Sequence, residues 1–408
     1  MAAIINNRRR ISNIFSKIED KELEFFVEET RVDKYSKKLK GIEIFKLLIF
    51  GVLTDDRASL RTFENFYITN FFKMIAKISL TKVISHSSIA ERIAKIKVVF
   101  FERLFAYCVE KYAPFLEEGI ALKISSYDST IVSISSKLLH LGMQNGQKNK
   151  KNEQGKLSLK FTIGFSNLPF KCKIHHQQEM ISEDLALGDI LKEHTANKKD
   201  IAVFDRGMKD RKVMEELSDE QAQYFVTRIY KDSKYILAEG SQVKKLDYQD
   251  DHLRLISSQK VHLFTKIQKK TKNTFRLIEG RLLKKEKESG EIKEEKILFL
   301  SNLTDDFSDE QIAEIYRNRW KIEQYFRFIK QELNFKHFFS RNLNGIQVMM
   351  YVILIASILL LTYIKEEGLK GYKIPKRRFC YGLQDEIIKE IVIHCGGDPS
   401  KMYSYSDS

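Results

Sequence analysis

The chain has 408 residues and a mass of 47.9 kDa, is 43% hydrophobic, and carries 70 Lys+Arg against 55 Asp+Glu for a formal charge of +15. That length exceeds what one hydrophobic core usually serves, so two or three domains are expected, and the apolar content suits a folded soluble protein. Cys108, Cys172, Cys380 and Cys395 are far apart with no CxxC pair, which argues against a disulfide scaffold or a cysteine-rich zinc site and for a reducing cytoplasm.

The basic residues are spread along the chain, a balance that favours a polyanionic partner; DNA, RNA and anionic membrane satisfy it equally. The N-terminal MAAIINNRRRISNIF has basic residues but no long apolar stretch, unlike a signal peptide. Residues 1–115 read as helical throughout. KELEFFVEETRV, GIEIFKLLIFGVL and TFENFYITNFFKMIAKI place apolar residues at three and four spacing. A serine cap opens the amphipathic run at SHSSIAERIAKI. Residues 74–98 are a candidate helix-turn-helix.

The texture changes at Pro114. IALKISSYDSTIVSI reads as a strand, a polar break and a second strand; GKLSLKFTIGF is a further strand. Between them QNGQKNKKNEQGK is an exposed basic loop. ISEDLALGDILKEH is predicted helical, IAVFD is a short apolar strand ending in an acid, RKVMEEL begins a helix and AQYFVTRIY returns to strand. Strands alternating with helices imply an α/β domain with a central sheet. From about 231 to 296, YILAEG, HLRLISS, VHLFTKI and TFRLIEGRLL suggest a β-rich insertion, after which KILFLSNL resumes a buried strand.

Ser308 and Gln311 form a capping-box pair ahead of IAEIYRNRWKIEQYFRFIKQEL. On one unbroken helix Tyr316, Arg319, Glu323 and Lys330 fall within about 60° of arc, beside an apolar stripe of Ile315, Ile322, Phe326, Ile329 and Leu333. The plain alternative is a solvated face of a basic helix. Trp320, the only tryptophan, is expected in the core rather than stacked on a base. The apolar tract at 346–364 is long enough to span a membrane. A buried helix is the expectation, since a single late span would need a topology nothing else supports. The segment after about 340 reads as helical, and GGDPSKMYSYSDS as disordered.

Asp128 and Asp205 each stand where an apolar strand ends, the place where α/β proteins usually build their chemistry. Singly, each is better explained as a turn or cap residue. With Glu323 from a helix packed on the same sheet they make three hard oxygen donors suited to Mg²⁺. Two ions roughly 4 Å apart would activate an attacking water or hydroxyl and stabilise a leaving 3′ oxygen, so phosphodiester chemistry is expected. His175 and His176, adjacent on a strand and without a carboxylate at zinc spacing, are expected to be structural. Arg206, Lys209, Arg317 and Lys321 face either DNA or solvent.

Asp128, Asp205 and Glu323, the Y-x2-R-x3-E-x6-K spacing and the β-rich insertion together resemble the DDE transposases of bacterial insertion sequences, of the IS4-like family. YSKKLKGIEIFKLLIFGVLTDDRASLRTFENF resembles the N-terminal domain often attached to them. The resemblance implies an α/β ribonuclease-H-like catalytic core with a β-rich insertion, flanked by helical N-terminal and C-terminal regions. The boundaries are a helical DNA-binding domain at 1–115, the catalytic domain at 116–340 and a helical region at 341–408. It implies endonucleolytic cleavage of transposon ends and transfer of the 3′-OH into target DNA. Asp128, Asp205 and Glu323 become ligands of two Mg²⁺ ions, replaceable by Mn²⁺. Tyr316, Arg319 and Lys330 become contacts to DNA phosphates. The implied partners are double-stranded DNA with terminal inverted repeats, target DNA and a second copy in a synaptic dimer, in the cytoplasm at the nucleoid, with no membrane. Asp184 matches a recurrent acid of these proteins, a cap or surface role being equally open. The alternative from another class is a catalytically inactive, transposase-derived DNA-binding protein.

Overall fold

The computed structural model describes residues 17–134, 142–145, 156–193, 200–219, 223–285, 291–338, 340 and 342–403. Most of the basic loop at 144–156 and the last five residues lie outside them. The chain divides into two compact units, Glu117–Phe326 and the remainder, so the helical segments before residue 116 and after 327 belong to one unit.

In that helical unit the chain forms α1 (Asp20–Thr30), α2 (Gly41–Thr54), α3 (Leu60–Ile68), α4 (Asn70–Ala76), α5 (His86–Lys95) and α6 (Val98–Leu116). Ser85 caps α5 by accepting from the Ser88 amide, as its position before the amphipathic run predicts. Pro114 does not stop α6; it sits in the last turn, where the amide it lacks breaks only one helical bond. The candidate helix-turn-helix corresponds to α4 and α5, joined by residues 77–85. The apolar tract near the C-terminus is α11 (Leu343–Glu366), with Ile346, Val348, Met349, Val352, Leu354, Ile355 and Ile358 fully buried. It is long and apolar enough to cross a membrane, yet its side chains pack inside the protein in the manner of a core helix. It is followed by α12 (Lys373–His394) and a 3₁₀ turn at Pro399–Tyr403, where disorder was expected.

The second unit is built on a mixed sheet. Its strands are β1 (Ile124–Ser133), β2 (Met143–Asn145), β3 (Lys156–Phe165), β4 (Pro169–His175), β5 (Ile201–Phe204), β6 (Tyr224–Ile229), β7 (Tyr235–Leu237), β8 (Lys244–Gln249), β9 (Leu253–Leu263), β10 (Phe275–Lys285) and β11 (Ile292–Ser301). The order is β2-β3-β1-β5-β6-β11-β10-β9-β7, with β4 on β3 and β8 on β9. Only β1, β5 and β6 run parallel to one another; every other pairing is antiparallel. The β-rich segment at 231–296 therefore does not form a separate body. It extends the central sheet through β6–β11. HLRLISS and VHLFTKI, read as two strands, are one continuous β9.

Helices α7 (Glu183–Lys192) and α8 (Arg211–Asp219) cover one face, burying Leu187, Ile190, Met214 and Leu217 against Tyr127, Phe204 and Phe225. Helix α9 (Asp309–Arg317) covers the other, with Ile312, Ala313, Ile315 and Tyr316 on Val203, Val226 and Phe299. Four-residue β5 is buried on both faces, which is why IAVF is apolar without alternation. Ser308 and Gln311 make the expected reciprocal cap.

Two elements depart from the sequence reading. The run 309–332 is not one helix but α9 and α10 (Trp320–Glu332), because the Arg319, Lys321 and Ile322 amides donate to carbonyls three residues back, tightening the junction to 3₁₀ turns. The Asn318 side chain also donates to the Glu314 carbonyl there. Trp320, expected in the core, is exposed. Asp128 does not end its strand: β1 continues to Ser133, paired with β3.

Candidate active site

Strand alternation decides where the acids point. Tyr127 joins the core under α7 and α8, so Asp128 projects to the α9 face. The parallel ladder between β1 and β5 ends at Tyr127 opposite Phe204. Asp128 and Asp205 are the next residues on each strand, and so leave the ladder side by side although β1 itself runs on. On that face stand α9 and the start of α10, whose seat includes Tyr325, fully buried and stacked on Phe165 at 4.6 Å.

Five residues singled out by sequence interlock. The Tyr316 hydroxyl donates to Asp205 Oδ1 at 3.1 Å. Arg319 donates from Nη1 to Asp128 Oδ2 at 3.2 Å and from Nη2 to Glu323 Oε1 at 2.5 Å. Asp128 Oδ1 accepts from the Ser129 amide at 2.8 Å. The Arg319 Nε is buried with no acceptor among the described residues. Lys330 lies seven residues beyond Glu323 on α10, in the part of that helix assigned to the helical unit, so its place rests on motif spacing alone.

Burial pushes the Asp128 carboxyl up to about 7; Arg319 and the Ser129 amide oppose the rise, and the charges of Glu183 and Asp205 add to it. Tyr316 is raised to about 12, first by burial and then by Asp205, against the pull of Arg319. Burial works against the Arg319 charge, but Tyr316, Asp128, Asp205 and Glu323 outweigh it and hold the guanidinium above its ordinary value.

Among the described residues no three His, Cys, Asp or Glu side chains converge closely enough to hold a metal ion. Three carboxylates are nevertheless the right donors for a hard divalent cation. Arg319 now spans two of the three acids.

Two residues beside this cluster escaped the sequence reading. Arg228 on β6 lies 5.9 Å from the centre of the Tyr316 ring, and its Nε is buried without an acceptor among the described residues. Its signal was a cation inside the apolar strand YFVTRI. Glu183, adjacent to Asp184, lies against Gly207. Arg206 and Lys209 sit over the Tyr230 ring at 5.3 and 4.8 Å, and Arg317 pairs with Asp250 at 2.6 Å. His175 is buried against Thr162 Oγ1 at 3.1 Å.

Asp128 within β1 and Asp205 just beyond β5 thus lie side by side, with Tyr316 of α9 bonded to Asp205 and Arg319, from the α9–α10 junction, bonded to Asp128 and to Glu323 of α10. Residues 121–359 match the family model described as a transposase DDE domain, and the chain belongs to that family. It is also 30% identical over 250 residues to a protein of Synechocystis sp. named as a transposase for insertion sequence element IS4SA. That alignment covers 60% of this chain and 62% of the relative, a little under two thirds of its length.

Proposed function

We propose that the chain is an active DDE transposase that cuts the ends of its own element and joins the freed 3′-OH to target DNA. The observation that carries this reading is the linkage of Asp128, Asp205 and Glu323 through Tyr316 and Arg319. The order β3-β1-β5-β6, antiparallel then parallel, supports a ribonuclease-H-like core.

Asp128, Asp205 and Glu323 would hold Mg²⁺, or Mn²⁺ in its place. The cations would supply Lewis-acid stabilisation of the attacking and leaving oxygens. Arg319 has a buried N–H without an acceptor among the described residues, and a DNA phosphate would satisfy it while drawing the guanidinium from the acids. Tyr316 holds the Asp205 carboxylate in one orientation. Lys330 is assigned a phosphate contact from the motif. The partners proposed are DNA bearing terminal repeats, target DNA and a second copy of the chain, at the nucleoid.

The competing reading, a DNA-binding protein without catalysis, draws on the same bridge: Arg319 pairs with both Asp128 and Glu323 and holds them with no metal ion. Labelled linear DNA ending in the flanking repeats separates the two. Mg²⁺-dependent cutting and joining supports the enzyme; repeat binding without cutting supports the alternative.

A further inference from the structure

Asp205 is followed by Arg206–Asp210, a short connection before α8, and its carboxylate is placed only as well as this turn is held. The Met208 amide closes onto the Asp205 carbonyl at 3.2 Å. The next two amides, of Lys209 and Asp210, both donate to a single oxygen, Asp184 Oδ1, at 2.7 Å each. Asp184 Oδ2 accepts from Lys266 Nζ at 2.8 Å, and Lys266 also reaches Asp210 Oδ2 at 3.4 Å. The Asp184 residue is buried.

An acid in the first turn of a helix ordinarily turns to that helix's own amides. Asp184 instead sends its carboxylate to another segment. Its neighbour Glu183 completes the hold: a Cβ on Gly207 would meet Glu183 Cγ at 2.6 Å, so the turn lies directly on that stem. Lys266, on the turn after β9, ties the same carboxylate to the β-rich part of the sheet.

We propose that Asp184 is a positioning residue for Asp205: it fixes the 205–210 turn through two amides and is itself oriented by Lys266. The inference rests on the transposase reading for the role of Asp205, while the mechanical hold on the turn does not. A misplacement of about 1 Å in a reacting group is enough to cost on the order of 10²-fold in rate.

The test uses the full chain as Asp184→Ala, Asp184→Asn and Lys266→Met, with two readouts. The first is the Mg²⁺ concentration giving half-maximal cutting of terminal-repeat DNA. It should rise roughly fivefold or more in Asp184→Ala, less in Asp184→Asn and least in Lys266→Met, with rates falling in the same order. DNA-end affinity measured in EDTA should change by less than about twofold, since no DNA contact is removed. The second is amide hydrogen exchange of 205–211, which should accelerate in Asp184→Ala whether or not the chain cuts DNA. If Asp184→Ala does not fold, Asp184→Asn and Lys266→Met are read on the same two scales. Unchanged exchange in the turn, or slower cutting with an unchanged Mg²⁺ requirement, overturns the proposal. A native chain that does not cut repeat DNA overturns the transposase reading and leaves the exchange result to decide the role of Asp184.

Discussion

The Arg319 guanidinium is shared by Asp128 and Glu323, and its planar fork is what permits this. Arg319→Lys offers one point charge for two separated acids, so strand joining should fall about 10²-fold or more in a single-turnover assay, with the fold intact by circular dichroism. Asp128 gives a pH signature. Its folded value of about 7 stands above the ordinary carboxylate value near 4, so between those limits the native state binds more protons than the unfolded chain. Stability without metal should therefore be greatest below pH 4 as far as this group is concerned. It should decline by roughly 2–4 kcal/mol as pH rises to 7, and then level off. Denaturant titrations of the native chain and Asp128→Asn across that range check the sign; a flatter profile in the variant is expected. Both acids and the Tyr-Arg-Glu group were legible in the sequence because motif spacing and the apolar run ahead of each acid are local. Arg228 and Glu183 were not, since their relation to the site exists only after β6 and α7 have packed.

Elements supply the next constraint. Gly207 lies against Glu183, and an added methyl group would overlap its Cβ and Cγ at 2.9 and 2.6 Å. Gly207→Ala should displace the turn bearing Asp205 and reduce cutting at least about tenfold, by the sensitivity of catalysis to placement. Kinetics at saturating Mg²⁺ and DNA would show whether it does. The α10 seat is a separate matter of packing. Tyr325 is fully buried and stacked on Phe165, so Tyr325→Ala should cost about 3–5 kcal/mol in a chemical melt. Most strands and helices were recoverable from periodicity. The break between α9 and α10 was not, because α and 3₁₀ turns bury almost the same apolar residues. Trp320, expected in the core, stands on the surface, on the side of the helix away from the apolar stripe. Local sequence likewise makes Asp128 look like a strand end, whereas only its parallel pairing ends there; antiparallel pairing to β3 continues and leaves no trace in local sequence.

Over the whole chain, composition pointed to a basic, folded protein of more than one domain, and two compact units are present. The union of N-terminal and C-terminal helices in one unit is a long-range fact, carried by the buried packing of α11 with α6, α2 and α5. The β-rich segment was recognised as strands, but its continuity with the central sheet depends on β11 pairing with β6 across some seventy residues, which no window of sequence displays. If the three acids hold cations, Mg²⁺ should raise the thermal midpoint of the native chain by preferential binding to the folded state, and should raise that of Asp205→Asn much less. The most direct measurement is cutting and joining of labelled DNA carrying the flanking repeats, with Mg²⁺ and with EDTA, by the native chain, Asp128→Asn, Asp205→Asn and Glu323→Gln. Joining that requires Mg²⁺ and disappears in all three variants is the predicted result. Binding of the repeats with no cutting by the native chain, or joining that survives any of the three substitutions, would contradict the account.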